Sequence, residues 1–83
     1  MYYVYVLKSK LDGKHYIGCT RDLRQRFDDH NHNKVRSTKN NGPYELIYYE
    51  AYKSEHDAFK REKNLKLRSN AFTALRKRLV ESF

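Results

Sequence analysis

The stretch Tyr16-Ile17-Gly18-Cys19-Thr20-Arg21-Asp22-Leu23-Arg24-Gln25-Arg26-Phe27-Asp28-Asp29-His30 decides how the chain is read. Tyr16, Ile17 and Gly18 have the character of a strand end, and Thr20 or Asp22 can cap a helix. Leu23 and Phe27 then repeat at the i, i+4 spacing of a buried helical stripe. The spacing predicts a strand feeding directly into a helix. Asp22, Arg26 and His30 share that spacing, so they line one edge of the helix beside its apolar stripe. A phenol, a guanidinium and an imidazole thus ride on adjoining elements, which packing can bring around one phosphate.

Towards the N-terminus, Tyr2 to Leu7 is aromatic or branched almost throughout, which predicts a strand buried on both faces. Tyr3, Tyr5 and Leu7 point one way, and Tyr2, Val4 and Val6 the other. Asp12-Gly13 marks a turn, after which His15 to Cys19 pairs back on the first strand. Such a hairpin can place the Tyr5 and Tyr16 hydroxyls on one face.

Towards the C-terminus, Asn31 to Pro43 reads as an exposed basic loop closed by Gly42-Pro43. Tyr44 to Ala51 has strand composition, with Leu46, Tyr48 and Glu50 expected on one face and Ile47, Tyr49 and Ala51 on the other. Ser54 with Asp57 forms a variant capping box that opens a helix to about Leu67. Ala58, Phe59, Glu62, Leu65 and Lys66 fall near one face of that helix. Ser69 can cap a last helix with a Phe72, Leu75, Leu79 packing stripe, whose Arg76, Lys77 and Arg78 form a solvated or phosphate-facing edge. The expectation is a single α/β (α+β) domain over residues 1–83. Its sheet is small, three-stranded and mainly antiparallel, flanked by about three helices in the order β-β-α-β-α-α.

The 83 residues are 39% hydrophobic, so the core must be thin and the aromatics, eight tyrosines among them, must supply much of its apolar area. A formal charge of +8 favours a polyanionic partner. The chain has no long apolar segment, signal peptide or one-sided surface helix, so a phosphate backbone is expected and a membrane is not. The lone Cys19 excludes an intrachain disulfide and offers no metal-binding cluster, which points to the reducing cytoplasm. Nothing near Cys19 supplies a nucleophile's histidine partner, so it reads as a packing residue.

Tyr3-Val4-Tyr5, then Tyr16-Ile17-Gly18, then Arg26 and His30 on the following helix, then Ala58-x-x-x-Glu62 on a later one, resemble the GIY-YIG nuclease domain. The likeness is to its small single-domain bacterial members, related to the N-terminal module of the excision-repair endonuclease, and it spans nearly the whole chain. The resemblance implies an endonuclease that hydrolyses DNA phosphodiester bonds with one divalent cation, Mg²⁺ or Mn²⁺. Glu62 would hold the ion, a hard cation that keeps several waters and takes few protein oxygens. Arg26 would neutralise charge on the transition state. Tyr16 would accept a proton from water or position it, with Tyr5 and His30 in support.

Arg24, Lys34, Arg36, Lys39 and Lys66 are the expected contacts to the nucleic-acid backbone. With 83 residues the expectation is structure-selective or weakly sequence-specific action, in repair or recombination. A protein partner that supplies targeting fits the same size, in a monomer or weak homodimer.

Two positions depart from the family pattern. Tyr3 stands where the first triplet leads with glycine, and Thr73-Ala74 stands where many members carry a late polar residue. These departures leave a second reading open: a noncatalytic nucleic-acid-binding module on the same scaffold, or an RNA-directed member. Taken singly, each residue also has a plain structural role. Tyr5 and Tyr16 can be cleft-edge strand tyrosines, Arg26 a partner of Asp22, and His30 a helix-end cation suited to the dipole. Glu62 can be a surface partner of Lys66, worth about 0.3 to 0.5 kcal/mol. Only their joint occurrence in order points to catalysis.

Overall fold

A computed structural model describes residues 1–67 and 70–83. Strands β1 (Tyr2–Ser9) and β2 (His15–Thr20) are followed by helix α1 (Leu23–Asn31), a short 3₁₀ turn (Arg36–Thr38), strand β3 (Tyr44–Tyr52), and helices α2 (Glu55–Lys66) and α3 (Asn70–Arg78). Among the described residues the strands form one antiparallel sheet in the order β2-β1-β3. This is the expected β-β-α-β-α-α order.

The central place of β1 follows from its composition. Val4, Tyr5, Val6 and Leu7 are all buried, which an alternating polar strand could not tolerate. On one face Tyr5, Leu7 and Tyr44 form a cluster that Leu23 and Phe27 of α1 cover. On the other, Val4 and Val6 pack with Ala58 and Leu65 of α2 and with Phe72 and Leu75 of α3. Each fully buried Val or Leu there contributes about 1.5 to 3 kcal/mol. The half-buried Cys19 packs against this second cluster, as a packing residue should.

The turn between β1 and β2 closes with the Gly13 amide on the Ser9 carbonyl, and Gly13 takes φ +75°, a left-handed value that suits glycine. Asp22 caps α1 by accepting from the Gln25 amide at 3.1 Å, while Thr20 accepts from the Asp22 amide just before it. Ser54 caps α2 by accepting from the Asp57 amide. The expected Ser69 cap lies outside the described residues.

Two expectations need correction. In β3, Val6 pairs with Tyr48 but Leu7 pairs with Leu46, so the strand carries one extra residue there. Ile47 and Tyr48 therefore both pack towards α2 and α3, and Leu46 shares the α1 face with Tyr49, not with Tyr48 and Glu50. Strict alternation over Tyr44 to Ala51 fails because of this bulge. The Asn31 to Pro43 segment is also more than an exposed loop. Asn31 ends α1, and Val35 and Thr38 are buried against the α1 side of the molecule. Polar composition hid these anchors, because Thr38 is buried for its hydrogen bonds.

Candidate active site

The site begins with a close approach between two strands. Tyr5 on β1 faces Gly18 on β2, and the phenol lies across that glycine. A Cβ at position 18 would overlap the Tyr5 hydroxyl and ring, so only glycine leaves it this path. The hydroxyl thereby extends towards the β2 edge of the sheet.

There Tyr5 meets α1. Its hydroxyl lies 2.8 Å from His30 Nε2, and His30 Nδ1 lies 2.8 Å from Thr38 Oγ1. The Thr38 hydroxyl donates to the Val35 carbonyl at 3.4 Å. With that proton committed, Thr38 accepts from His30 Nδ1–H, and His30 Nε2 accepts from the Tyr5 hydroxyl. A neutral imidazole completes this chain. Burial is the main reason His30 falls from its ordinary 6.5 to about 4, helped by the nearby Arg26 charge and opposed by Asp29.

Arg26 acts on the same phenol. Burial raises the Tyr5 hydroxyl above its usual range, while Arg26 pulls it down through hydrogen bonding and charge. Glu62 pushes it up again, and the same carboxylate, after burial, raises the Cys19 thiol. Glu62 thus lies within electrostatic reach of Tyr5, although α1 and α2 cover opposite faces of the sheet. Its side chain is 19% exposed and pairs with Lys66 Nζ at 2.9 Å. The i, i+4 ion pair foreseen for a surface glutamate is present, on a carboxylate whose charge also acts on Tyr5 and Cys19.

Tyr16 stands two residues before Gly18 on the same face of β2. Its ring sits edge-on to Tyr44 with centroids 5.2 Å apart, and Asn41 Nδ2 approaches its hydroxyl at 3.5 Å. Tyr44 lies between the two groups, 6.1 Å from the His30 ring. Burial, then the hydrogen bond and charge of Tyr16, push the Tyr44 hydroxyl up to about 12. Tyr44 therefore stays protonated and donates to the Thr38 carbonyl at 3.2 Å.

The structure thus brings Tyr5, Arg26 and His30 together, sets Glu62 within electrostatic reach of Tyr5, and joins Tyr16 through Tyr44. Lys34, Arg36 and Lys39 are exposed on the α1–β3 connection, Arg24 on α1 and Lys66 on α2. Sequence reasoning missed Thr38, Asn41 and Tyr44. The only signal for Thr38 and Asn41 was their place in a connection too long to be featureless, since long connections in small domains are usually structured or functional, and Tyr44 read only as a strand residue.

A second polar centre lies on the opposite face. Glu50 of β3 accepts from the Tyr48 and Tyr52 hydroxyls and from Arg61 Nε and Nη2 of α2, the latter at 3.0 Å. Burial works against its charge, but these donors hold the carboxyl below its ordinary range. Arg61 precedes Glu62, so this contact helps set the rotation of α2 about its axis.

The family model of the GIY-YIG catalytic domain matches residues 1–77. A UPF0213 protein of Staphylococcus epidermidis is 38% identical over 66 residues, covering 78% of this chain and 79% of its own. One from Streptococcus pneumoniae is 40% identical over 65 residues, covering 77% and 65%. The solution NMR structure of the UPF0213 protein BH0048 from Bacillus halodurans superposes with a TM-score of 0.55 at 32% identity, over 90% of this chain and 81% of that one. With the family model matched over residues 1–77 and relatives at 38 to 40% identity, the chain belongs to the GIY-YIG family of nucleases.

Proposed function

We propose that the protein is a metal-dependent endonuclease that hydrolyses DNA phosphodiester bonds, with structure-selective or weak sequence preference. The observation that carries this reading is the Tyr5–His30–Thr38 chain, with the Arg26 charge acting on the same phenol and Glu62 within its electrostatic reach. Arg26 neutralises charge growing on a phosphate, and its half-buried position supports this role, because there such an effect exceeds its worth in water. His30, near 4, is neutral at pH 7 and a weak base. Its role is to hold the Tyr5 hydroxyl in place. Tyr16 takes the proton-accepting or water-positioning role, with the Asn41 amide next to it as a donor and the Tyr44 ring packed edge-on against it.

The donor set fits one kind of ion. Among the described residues no group of three or more His, Cys, Asp or Glu could hold a metal, which disfavours a zinc-type cage. A single half-buried carboxylate suits Mg²⁺ or Mn²⁺, which retain waters, and Glu62 would hold the ion there. When bound, such an ion polarises a phosphate oxygen and stabilises the leaving group. No helix among the described residues is long and apolar enough to cross a membrane.

One observation favours the alternative, a noncatalytic binding module: Lys66 occupies one oxygen of Glu62 at 2.9 Å. A supercoiled-plasmid nicking assay with a metal series, run beside an RNA substrate, separates the readings. Metal-dependent nicking that disappears in Glu62→Ala, Arg26→Ala and Tyr16→Phe is expected. Nicking that persists in Glu62→Ala removes the metal assignment, and salt-sensitive binding without cleavage under any metal favours the module.

A further inference from the structure

On the α1 face, next to the Tyr5 cluster but on the β3 side, lies an open groove of about 560 Å³. Tyr3, Leu46 and Tyr49 of the sheet and Leu23 and Phe27 of α1 form its apolar walls, and Arg21, Asp22 and Arg24 line it as well. The two tyrosine rings stand edge to face with centroids 6.0 Å apart, and Tyr49 is 52% exposed. The groove adjoins the candidate active site through the backbone itself. Tyr3 precedes Tyr5 by one step on the same face of β1, Tyr49 is the β3 partner of Tyr5, and Phe27 follows Arg26.

Its chemistry is selective. The exposed Tyr49 ring and the half-buried Tyr3 ring suit a flat, partly hydrophobic ring, and the exposed Arg24 suits a phosphate attached to it, whereas the Arg21 guanidinium lies over the Tyr2 ring, 5.5 Å from its centroid. Asp22, the one acid lining the groove, accepts from the Gln25 amide as the cap of α1. A base paired within a duplex cannot enter such a groove, because its faces are already stacked. Tyr3 supplies one wall from the position where the motif leads with glycine, so this departure from the pattern builds the feature.

We propose that the groove binds an unpaired nucleotide flanking the scissile phosphate, its base against Tyr3 and Tyr49 and its phosphate at Arg24. The proposal rests on the nuclease reading and narrows its substrate to nucleic acid with an unpaired flank, as at an overhang, flap or junction.

The test is equilibrium binding by fluorescence anisotropy in chelator, so that cleavage plays no part. Two labelled probes share one duplex stem, one blunt and one with a short oligothymidine overhang. The protein should prefer the overhang, and Tyr49→Ala should lower the ratio of overhang to blunt affinity by about five- to a hundredfold, the range measured for single base–aromatic stacks. Tyr49→Phe, which keeps the ring, should retain the ratio. Arg24→Ala should flatten the salt dependence of overhang binding by about 0.7 in log–log slope, the value for one lost contact to a single strand.

Should Tyr49→Ala lose the fold, Tyr49→Leu reads the same contact without a ring. A ratio that Tyr49→Ala does not move, or a wild-type protein that binds both probes equally, overturns the proposal. Failure of the nuclease reading is separate: it appears as absent nicking while the overhang preference remains.

Discussion

His30 Nε2 lies 2.8 Å from the Tyr5 hydroxyl across 25 residues of chain, and the contact exists because Gly18 has no side chain to block the phenol. The Gly18→Ala methyl would overlap Tyr5, a residue that is 3% exposed and has little room to withdraw. The expected outcome is a loss of about 1 to 3 kcal/mol, the usual cost of forcing a group into a packed interior. Nicking should fall further than stability accounts for, because the hydroxyl leaves His30. Denaturant unfolding and plasmid nicking on the same preparation check this, and a fully active Gly18→Ala protein would refute it.

His30 makes stability depend on pH in a defined direction. Its pKa falls from 6.5 unfolded to about 4 folded, so between these values the unfolded chain binds the proton and the native one does not. The stabilisation from a neutral His30 is therefore whole above about pH 6.5, drains away as pH falls towards 4, and then levels off. The span corresponds to about 3 kcal/mol. Thermal unfolding across pH 4 to 7 should show that slope, and His30→Gln should flatten it.

Glu50 titrates in the same sense but lower. Its folded pKa is depressed by Arg61 and two tyrosine hydroxyls, so its contribution is present above its ordinary value of 4.5 and is lost as pH falls below it. Glu50→Ala leaves Arg61 and both hydroxyls without their acceptor. Because the pair is partly solvated, the expected cost is about 2 kcal/mol, less than for a fully buried pair. Since Arg61 precedes Glu62, the metal midpoint of nicking should also rise, whereas an unchanged midpoint would confine Glu50 to stability.

Lys66 offers a test of Glu62 that does not remove the carboxylate. Lys66→Met frees the Oε2 held at 2.9 Å and should cost no more than about 0.5 kcal/mol, as an exposed i, i+4 pair. If Glu62 binds the ion, half-maximal nicking should need less Mn²⁺ in this variant. A higher requirement would mean that the ion pair assists the site.

Much of this arrangement was legible because it is local. The strand-to-helix reading of Tyr16 to His30, the Asp22 and Ser54 caps and the three-stranded antiparallel sheet all follow from spacing and turn chemistry. Tyr5 and Tyr16 do share a face, as the hairpin predicted. What escaped was nonlocal. Thr38 is buried because His30 and Tyr44 converge on it, and no pattern within residues 31–43 announces partners on α1 and β3. Glu50 reads as a polar residue on a strand, although four side-chain donor atoms from three residues meet on it. The groove was hidden for the same reason, since its walls come from three separate elements.

The bulge in β3 has a consequence for relatives of different length. Residues 44–46 and 48–52 run out of phase in odd-and-even numbering, and Ile47 is the place where the count slips. Deleting that one residue would leave every neighbour facing as it does now. Deleting any single residue between 49 and 51 would turn part of the strand over, with the carboxylate of position 50 and the ring of position 49 the first to change sides. Insertions and gaps in this strand should accordingly gather at a single site, like a seam where cloth can be let out without disturbing the pattern on either side.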